Sequence, residues 1–312
     1  MFINQHLGNI SVSFRILTFI NTHEIITKTM TQGVLGIIIC PMFDDNLTYT
    51  MGKDPEKKNV TVVDNEYNGS LLKKLDKIGQ PYDLIEWDDI VCNRYAPKEG
   101  EYNILILAIN LGLHSKPKEL KQKVEEYAKT MAPSVDAFGY YFGTCGNFAW
   151  DIPAWSRSIL NKPGAMFCDS EGNLCDDCVG AAIAGGPRYL QMQKTYPGHF
   201  YLFPAMATNF DDFMDADQAD SAAIEESLTD EMREQLGIEP GRDGYLRWLL
   251  RMGDYKNILK IQTGLGNKEE YDEKSLMVAE RTQLNIIDAE DGWGTLQPTE
   301  DIYNKSKSFL KQ

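Results

Sequence analysis

The stretch "YNILILAINLGLH", beginning at Tyr102, constrains the fold of this chain most strongly. It is an apolar run of the kind that forms a strand buried on both faces of a parallel sheet. A helix is predicted after it, with Pro117 near the first turn and Leu120, Val124, Tyr127, Ala128 and Met131 on one stripe. "DAFGYYFG", Asp136 to Gly143, reads as the next strand. Strand, helix and strand in this order make a βαβ unit with parallel strands. The turn after Gly143 is then expected at a carboxyl end of the sheet, where open α/β folds hold their ligands.

The same grammar extends in both directions. "LGIIIC" (Leu35 to Cys40) is an apolar run stopped by Pro41, and "NVTVVDN" from Asn59 is a second β-branched run. "GSLLKKLDKIG" reads as an amphipathic helix ended by Gly79, and "DLIEWDDIVCN" as an edge strand or loop. Downstream, "GAMFCD" and "HFYLFPA" read as short strands and "DDCVGAAIAGG" as a small-residue helix. Asp211 to Glu239 is an acidic section expected to form one or two surface helices around a loop. "KNILKIQTG", "YDEKSLMVAERTQ" and "LNIID" make a second βαβ-like unit. The expected fold is α/β, with parallel-sheet Rossmann-like lobes packed around a central cleft.

Residues 1–29 carry neither a basic n-region nor an unbroken apolar core. Met30 opens "MTQGVLGIIIC", a typical beginning for an α/β domain, so residues 1–29 are expected to be an appendage to an α/β region spanning 30–312. No apolar run reaches the roughly 18 residues of a membrane span. The net charge of −15, from 46 acids against 31 bases, disfavours nucleic acid and anionic membranes as partners, because phosphates need a basic footprint. A cytoplasmic protein with a small-molecule substrate is the expectation. Six cysteines in 312 residues are too few for a disulfide scaffold, which leaves metal or catalytic use.

Cys40, His114 and Cys145 fall at or just after predicted strand ends, and Cys178 opens a predicted helix. In a parallel sheet such positions converge on one rim, so three thiolates and one imidazole make a candidate Cys₃His site for zinc or an iron-based centre. Cys145 and Cys178 are further expected at helix N-termini, where unpaired N–H groups lower a thiol pKa. Each cysteine taken singly reads equally well as a small buried hydrophobe. Cys175 and Cys178 form a Cys-x-x-Cys pair with Cys168 upstream, a pattern shared by metal sites and redox dithiols. Arg188, after a glycine pair, is a candidate anion holder, and Asn147 a candidate substrate contact in "FGTCGN".

"IIIC" at Cys40, "GLHSKPKEL" at His114, "VDAFGYYFGTCGN" at Cys145, "CDDCVGAAIAGGPRYL" at Cys178 and "YPGHFYLFPAM" from Tyr196 together resemble the DUF1638 family of methanogenic archaea and anaerobic bacteria. The resemblance runs from about Val34 to about Ile287 and implies ligand roles for Cys40, His114, Cys145 and Cys178. The inserted "SEGNLC" departs from the family pattern, which leaves Cys168 and Cys175 as extra ligands or bystanders. The resemblance also implies company with corrinoid-dependent methyl transfer, either as an enzyme or as an accessory that delivers metal or cofactor to a methyltransferase. A dithiol redox protein using Cys175 and Cys178 is the third expectation.

Overall fold

A computed structural model describes residues 30–311 except 148, 215–224 and 242. The expected 1–29 appendage, Phe148 and part of the acidic section lie outside the described residues.

Six parallel strands form the larger sheet: β1 (Gly33–Ile39), β2 (Asn59–Val63), β3 (Tyr82–Ile85), β4 (Tyr102–Ala108), β5 (Ala137–Tyr141) and β6 (Gly164–Met166). Their order is β3-β2-β4-β1-β5-β6. The central strands β1, β4 and β5 are wholly apolar over most of their length because helices cover both faces. Ile37, Ile38 and Ile39 are fully buried, and each such side chain contributes about 1.5–3 kcal/mol relative to exposure. The expected βαβ unit is present as β4, a helix over Pro117–Met131, and β5. Its strands are parallel but not adjacent, since β1 lies between them, with Leu35 opposite Ala137 and Gly33 opposite Tyr102. β1 is the most apolar strand, and burial favours placing it between the other two.

Two helices flank this sheet near its amino half, α1 (Asp44–Lys53) after β1 and α2 (Gly69–Lys77) after β2. "DLIEWDDIVCN" resolves into the edge strand β3 and a short helix, α3 (Trp87–Val91). The charges at its middle are accommodated because an edge strand keeps one flank in water, and Asp83 and Leu84 are exposed there. The Pro117–Met131 helix is α4, and α5 is the short helix Ile152–Trp155.

The second sheet has three parallel strands, β7 (His199–Leu202), β8 (Asn257–Lys260) and β9 (Asn285–Asp288), in that order. Around it lie α6 (Cys178–Ala182), α7 (Gly186–Thr195), α8 (Pro204–Thr208), α9 (Asp230–Leu236), α10 (Gly244–Met252) and α11 (Lys268–Thr282). Helix α9 lies in the acidic section, where residues 211–214 and 225–227 are helical as well. The Tyr271 hydroxyl in α11 donates to the Leu202 carbonyl (2.7 Å) and accepts from the Ile261 N–H (3.1 Å), tying the carboxyl ends of β7 and β8 together.

The last helix, α12 (Gln297–Ser308), returns from the second sheet to pack on β5, β6 and α1 of the first. Asn46 donates to the Thr299 hydroxyl there at 2.7 Å. One contiguous buried cluster takes in residues of both sheets, from Leu35 and Ile106 to Leu259 and Tyr271.

Candidate functional site

The carboxyl ends of both sheets border one cleft of about 1080 Å³. Pro41, Tyr67 and Asn110 reach it from the loops after β1, β2 and β4, while Pro204 and the Gly264–Asn267 loop reach it from β7 and β8. The sheet order explains the location. The chain leaves β1 toward β2 on one flank and leaves β5 toward β6 on the other. A crevice must open where neighbouring connections diverge, beyond the carboxyl ends of β1 and β5. Cys40 directly follows β1 and Cys145 lies four residues beyond β5, although neither lines the cleft itself.

Cys40 continues β1 by donating its N–H to the Tyr141 carbonyl of β5 at 2.9 Å. Cys145 lies in the turn after β5, where its backbone adopts the left-handed region with φ 46° and Gly146 follows at φ 86°. The cysteine there carries a steric cost of about 1–2 kcal/mol that the surrounding bonds must hold. They do so at several points. The Cys145 N–H and the Thr144 hydroxyl both donate to the Asp176 carbonyl, at 3.0 and 3.2 Å. Asn147 Nδ2 donates to the Pro117 carbonyl (2.6 Å) and to the Thr144 carbonyl (3.1 Å). Asn147 therefore fastens the turn to the start of α4. Gly143 has no room for a side chain, since a Cβ would fall 2.6 Å from the Asp177 Cα.

This contact with 176–177 brings Cys178 to the same place. Asp177 caps α6 by accepting the Gly180 N–H at 2.6 Å, and Cys178 is the first helical residue. Burial pushes the Cys40 thiol far above its ordinary range, and Cys145 and Asp44 beside it push in the same direction. Burial likewise drives the Cys178 thiol up, with Asp177, Cys145 and Cys40 adding to the rise. Cys145 is pushed up to about 12 by burial and then by Asp177. Three thiols from distant segments are thus within electrostatic reach of one another.

The expectation that helix N-termini would lower these thiol pKa values is corrected. Cys145 is at no helix terminus, because the chain runs on irregularly until α5 begins at Ile152. Cys178 does open α6, but that helix is one turn long, and desolvation and neighbouring negative charge outweigh its dipole. A cavity of about 20 Å³ separates Cys178 from the cleft, and Asp45 and Leu265 border both spaces. Cys178 lines the small cavity and not the cleft.

His114 follows β4 in a short 3₁₀ turn, Leu111–Ser115, and its ring stacks on Phe213 with centroids 4.1 Å apart. Cys168 and Cys175 form the ends of a tight hairpin in which Cys168 stands opposite Leu174. That register is one residue away from pairing the two cysteines, so the pleat sends their side chains to opposite faces. Cys175 is buried and pushed up to about 12 by burial, then by Cys168. Arg188 donates to the carbonyls of Gly292 and Trp293 and lies over the Trp293 ring, so its guanidinium holds backbone.

Among the described residues, no group of three or more His, Cys, Asp or Glu side chains is placed so that it could hold a metal ion as it stands. A residue that sequence reasoning missed is Asp44. It is 1% exposed, neither carboxyl oxygen meets hydrogen-bond geometry, and burial raises its pKa to about 7 against the pull of nearby Lys74. Its sequence signal was a pair of acids directly after a buried strand, "CPMFDD".

No curated protein and no solved structure matches this chain. A family model does match, over residues 108–299, so that the chain from the last residue of β4 to the start of α12 falls within it while Cys40, the first three strands and most of β4 precede it. The matched span takes in His114, Cys145 and Cys178 and covers more than half of the chain, which therefore belongs to DUF1638, a family described as proteins of unknown function.

Proposed function

We propose that Cys40, Cys145 and Cys178 hold a single thiolate-bound metal ion, zinc or iron, at the base of the inter-sheet cleft, and that the ion activates a small molecule bound above it. The observation that carries this reading is the approach of three thiols from distant segments, each pushed up by burial, Cys40 also by Cys145, and Cys178 also by Cys145 and Cys40. Three half-buried thiols that resist ionising together are a natural seat for a divalent cation, whose charge replaces their protons. The donor set fits a thiophilic metal better than magnesium or calcium, which prefer oxygen ligands. His114, on the same sheet rim, is the candidate fourth ligand or proton acceptor.

When bound, zinc would act as a Lewis acid that lowers the pKa of a substrate thiol or water. The residues of this chain would do the rest. The Asp176 carbonyl and Asn147 hold the Cys145 turn in its strained form, and Asp45 and Leu265 border both the cleft and the small cavity at Cys178. We place the activity in one-carbon chemistry, with methyl transfer from a corrinoid on a partner protein as the process served. An accessory role, in which the same thiols deliver metal to a methyltransferase, is the second reading. The dithiol reading, which pairs Cys175 with Cys178, loses support from the engagement of Cys178 with Cys145 and Cys40.

Metal analysis of protein purified without oxygen tests the proposal. About one zinc or iron per chain, lost in Cys145→Ser, is expected. Metal-free protein that also fails to take up added zinc would overturn it.

A further inference from the structure

Four charged side chains that border the cleft remain unpaired among the described residues, and they are segregated by sign. Lys73 and Lys77 project from α2, on the wall formed by the six-stranded sheet. Asp212, just after α8, and Glu270, in the first turn of α11, stand on the wall formed by the three-stranded sheet. All four are exposed to solvent. The other ionic groups of the cleft are already engaged. Lys74 pairs with Asp45 at 3.0 Å, and Glu66 bonds the Tyr67 hydroxyl.

A chain of net charge −15 nonetheless sets two free lysines on one wall of the inter-sheet cleft and two free acids on the other. Opposed charges kept beyond ion-pair distance across an open cleft attract a ligand that neutralises both. An anion alone would be repelled by the acidic wall, and a cation alone by the basic wall. We propose that the cleft binds a zwitterionic small molecule of amino-acid or short-peptide type, with its carboxylates toward Lys73 and Lys77 and its ammonium toward Asp212 and Glu270. The volume is at the upper end of ordinary metabolite sites, about 300–1,000 Å³, which suits a peptide better than a single amino acid. The Gly264–Asn267 loop offers backbone at the same rim, because Gly264 and Gly266 both adopt φ near +77° (78° and 76°) and carry no side chain to block approach.

This inference deepens the proposed function by naming the class of molecule that the metal centre would act on. Its test runs on metal-free protein and is therefore separable. The probes are S-methylglutathione, its N-acetyl derivative, which lacks the ammonium, and its diethyl ester, which lacks free carboxylates. Calorimetric titration is expected to give saturable binding of the zwitterion, with at least tenfold weaker binding of either blocked form. In Lys73→Ala/Lys77→Ala protein the preference for free carboxylates should vanish. In Asp212→Asn/Glu270→Gln protein the preference for the free ammonium should vanish. These surface changes leave the core untouched, and circular dichroism checks that the fold is retained. Absence of saturable zwitterion binding, or equal binding of blocked and unblocked probes, overturns the proposal. Peptide binding retained in a protein that takes up no zinc would overturn the metal reading alone, and zinc uptake without peptide binding would overturn this inference alone.

Discussion

The backbone N–H of Cys145 donates to the carbonyl of Asp176 at 3.0 Å. This single bond joins two segments 31 residues apart, each of which carries a thiol of the proposed centre. It also fixes the left-handed conformation of Cys145, which aims a cysteine from a position normally given to glycine. The two thiols are neighbours because the turn and the approach to α6 lie backbone to backbone, with Gly143 at their closest contact.

Gly143→Ala should therefore be disproportionately costly. The added methyl group would sit 2.6 Å from the Asp177 Cα and 2.8 Å from the Asp176 carbonyl oxygen, and backbone cannot step aside as a side chain does. A loss of about 1–3 kcal/mol, as for other overpacking changes, is expected in denaturant unfolding, together with weakened zinc uptake. Stability within error of wild type would contradict the close packing.

The cysteines should separate into two groups. Cys40→Ser, Cys145→Ser and Cys178→Ser are each expected to lower zinc affinity by two orders of magnitude or more, since metal sites rarely tolerate the loss of a first ligand. Cys168→Ser and Cys175→Ser should leave affinity within about threefold, the latter with some loss of stability because Cys175 is buried. Competition with a chelating dye reads both. Equal effects across all five would dissolve the grouping.

Asp44 predicts a pH dependence with a definite sign. Its carboxyl titrates near 7 in the folded protein against 3.8 ordinarily, so the native state keeps a proton that the unfolded chain has already released. Stability from this group falls as pH rises from about 4 to about 7, and the full penalty is present above that window. Asp44→Asn has no proton to lose. Its unfolding free energy relative to wild type should climb across that window, by up to a few kcal/mol at about 1.4 kcal/mol per pH unit. Parallel curves for the two proteins would show that Asp44 is not the buried acid described here.

Tyr271→Phe removes the hydroxyl that bridges Leu202 and Ile261 at the cleft edge of the smaller sheet. The Ile261 N–H and the Leu202 carbonyl keep the 2.8 Å bond between them, so the expected cost is that of lost hydrogen bonds rather than of orphaned groups, about 0.5–1.5 kcal/mol in chemical denaturation. Stability equal to wild type would argue against a contribution from the bridge.

Much of the α/β architecture is legible in the chain. Strands β1, β4 and β5 declare themselves because buried parallel strands are continuous apolar runs, and α4 declares itself through the spacing of Leu120, Val124, Ala128 and Met131. Cys40 and Cys145 are foreseeable at the rim for the same reason, since each follows one of those runs. Cys178 is only half foreseeable: its helix is visible, but an eleven-residue loop separates it from β6, so no strand end points it anywhere.

Local periodicity could not reveal that β1 slips between β4 and β5, because strand order follows from how the helices pack on the two faces. Nor could it foresee the left-handed turn at Cys145, which is held by partners at Pro117 and Asp176. The fate of each titratable group was equally beyond it. Asp44 and the thiols are shifted by desolvation, and desolvation belongs to the packed neighbours rather than to the residue. Arg188 shows the same limit, since a glycine-flanked arginine looks free for an anion until the fold presents it with the carbonyls of Gly292 and Trp293. Sequence fixes which segments become strands and helices because those preferences are carried within a few residues. The approach of Cys40, Cys145 and Cys178 to one another, and the two oppositely charged walls of the cleft, arise only when segments far apart in the chain are brought together by burial of their apolar faces.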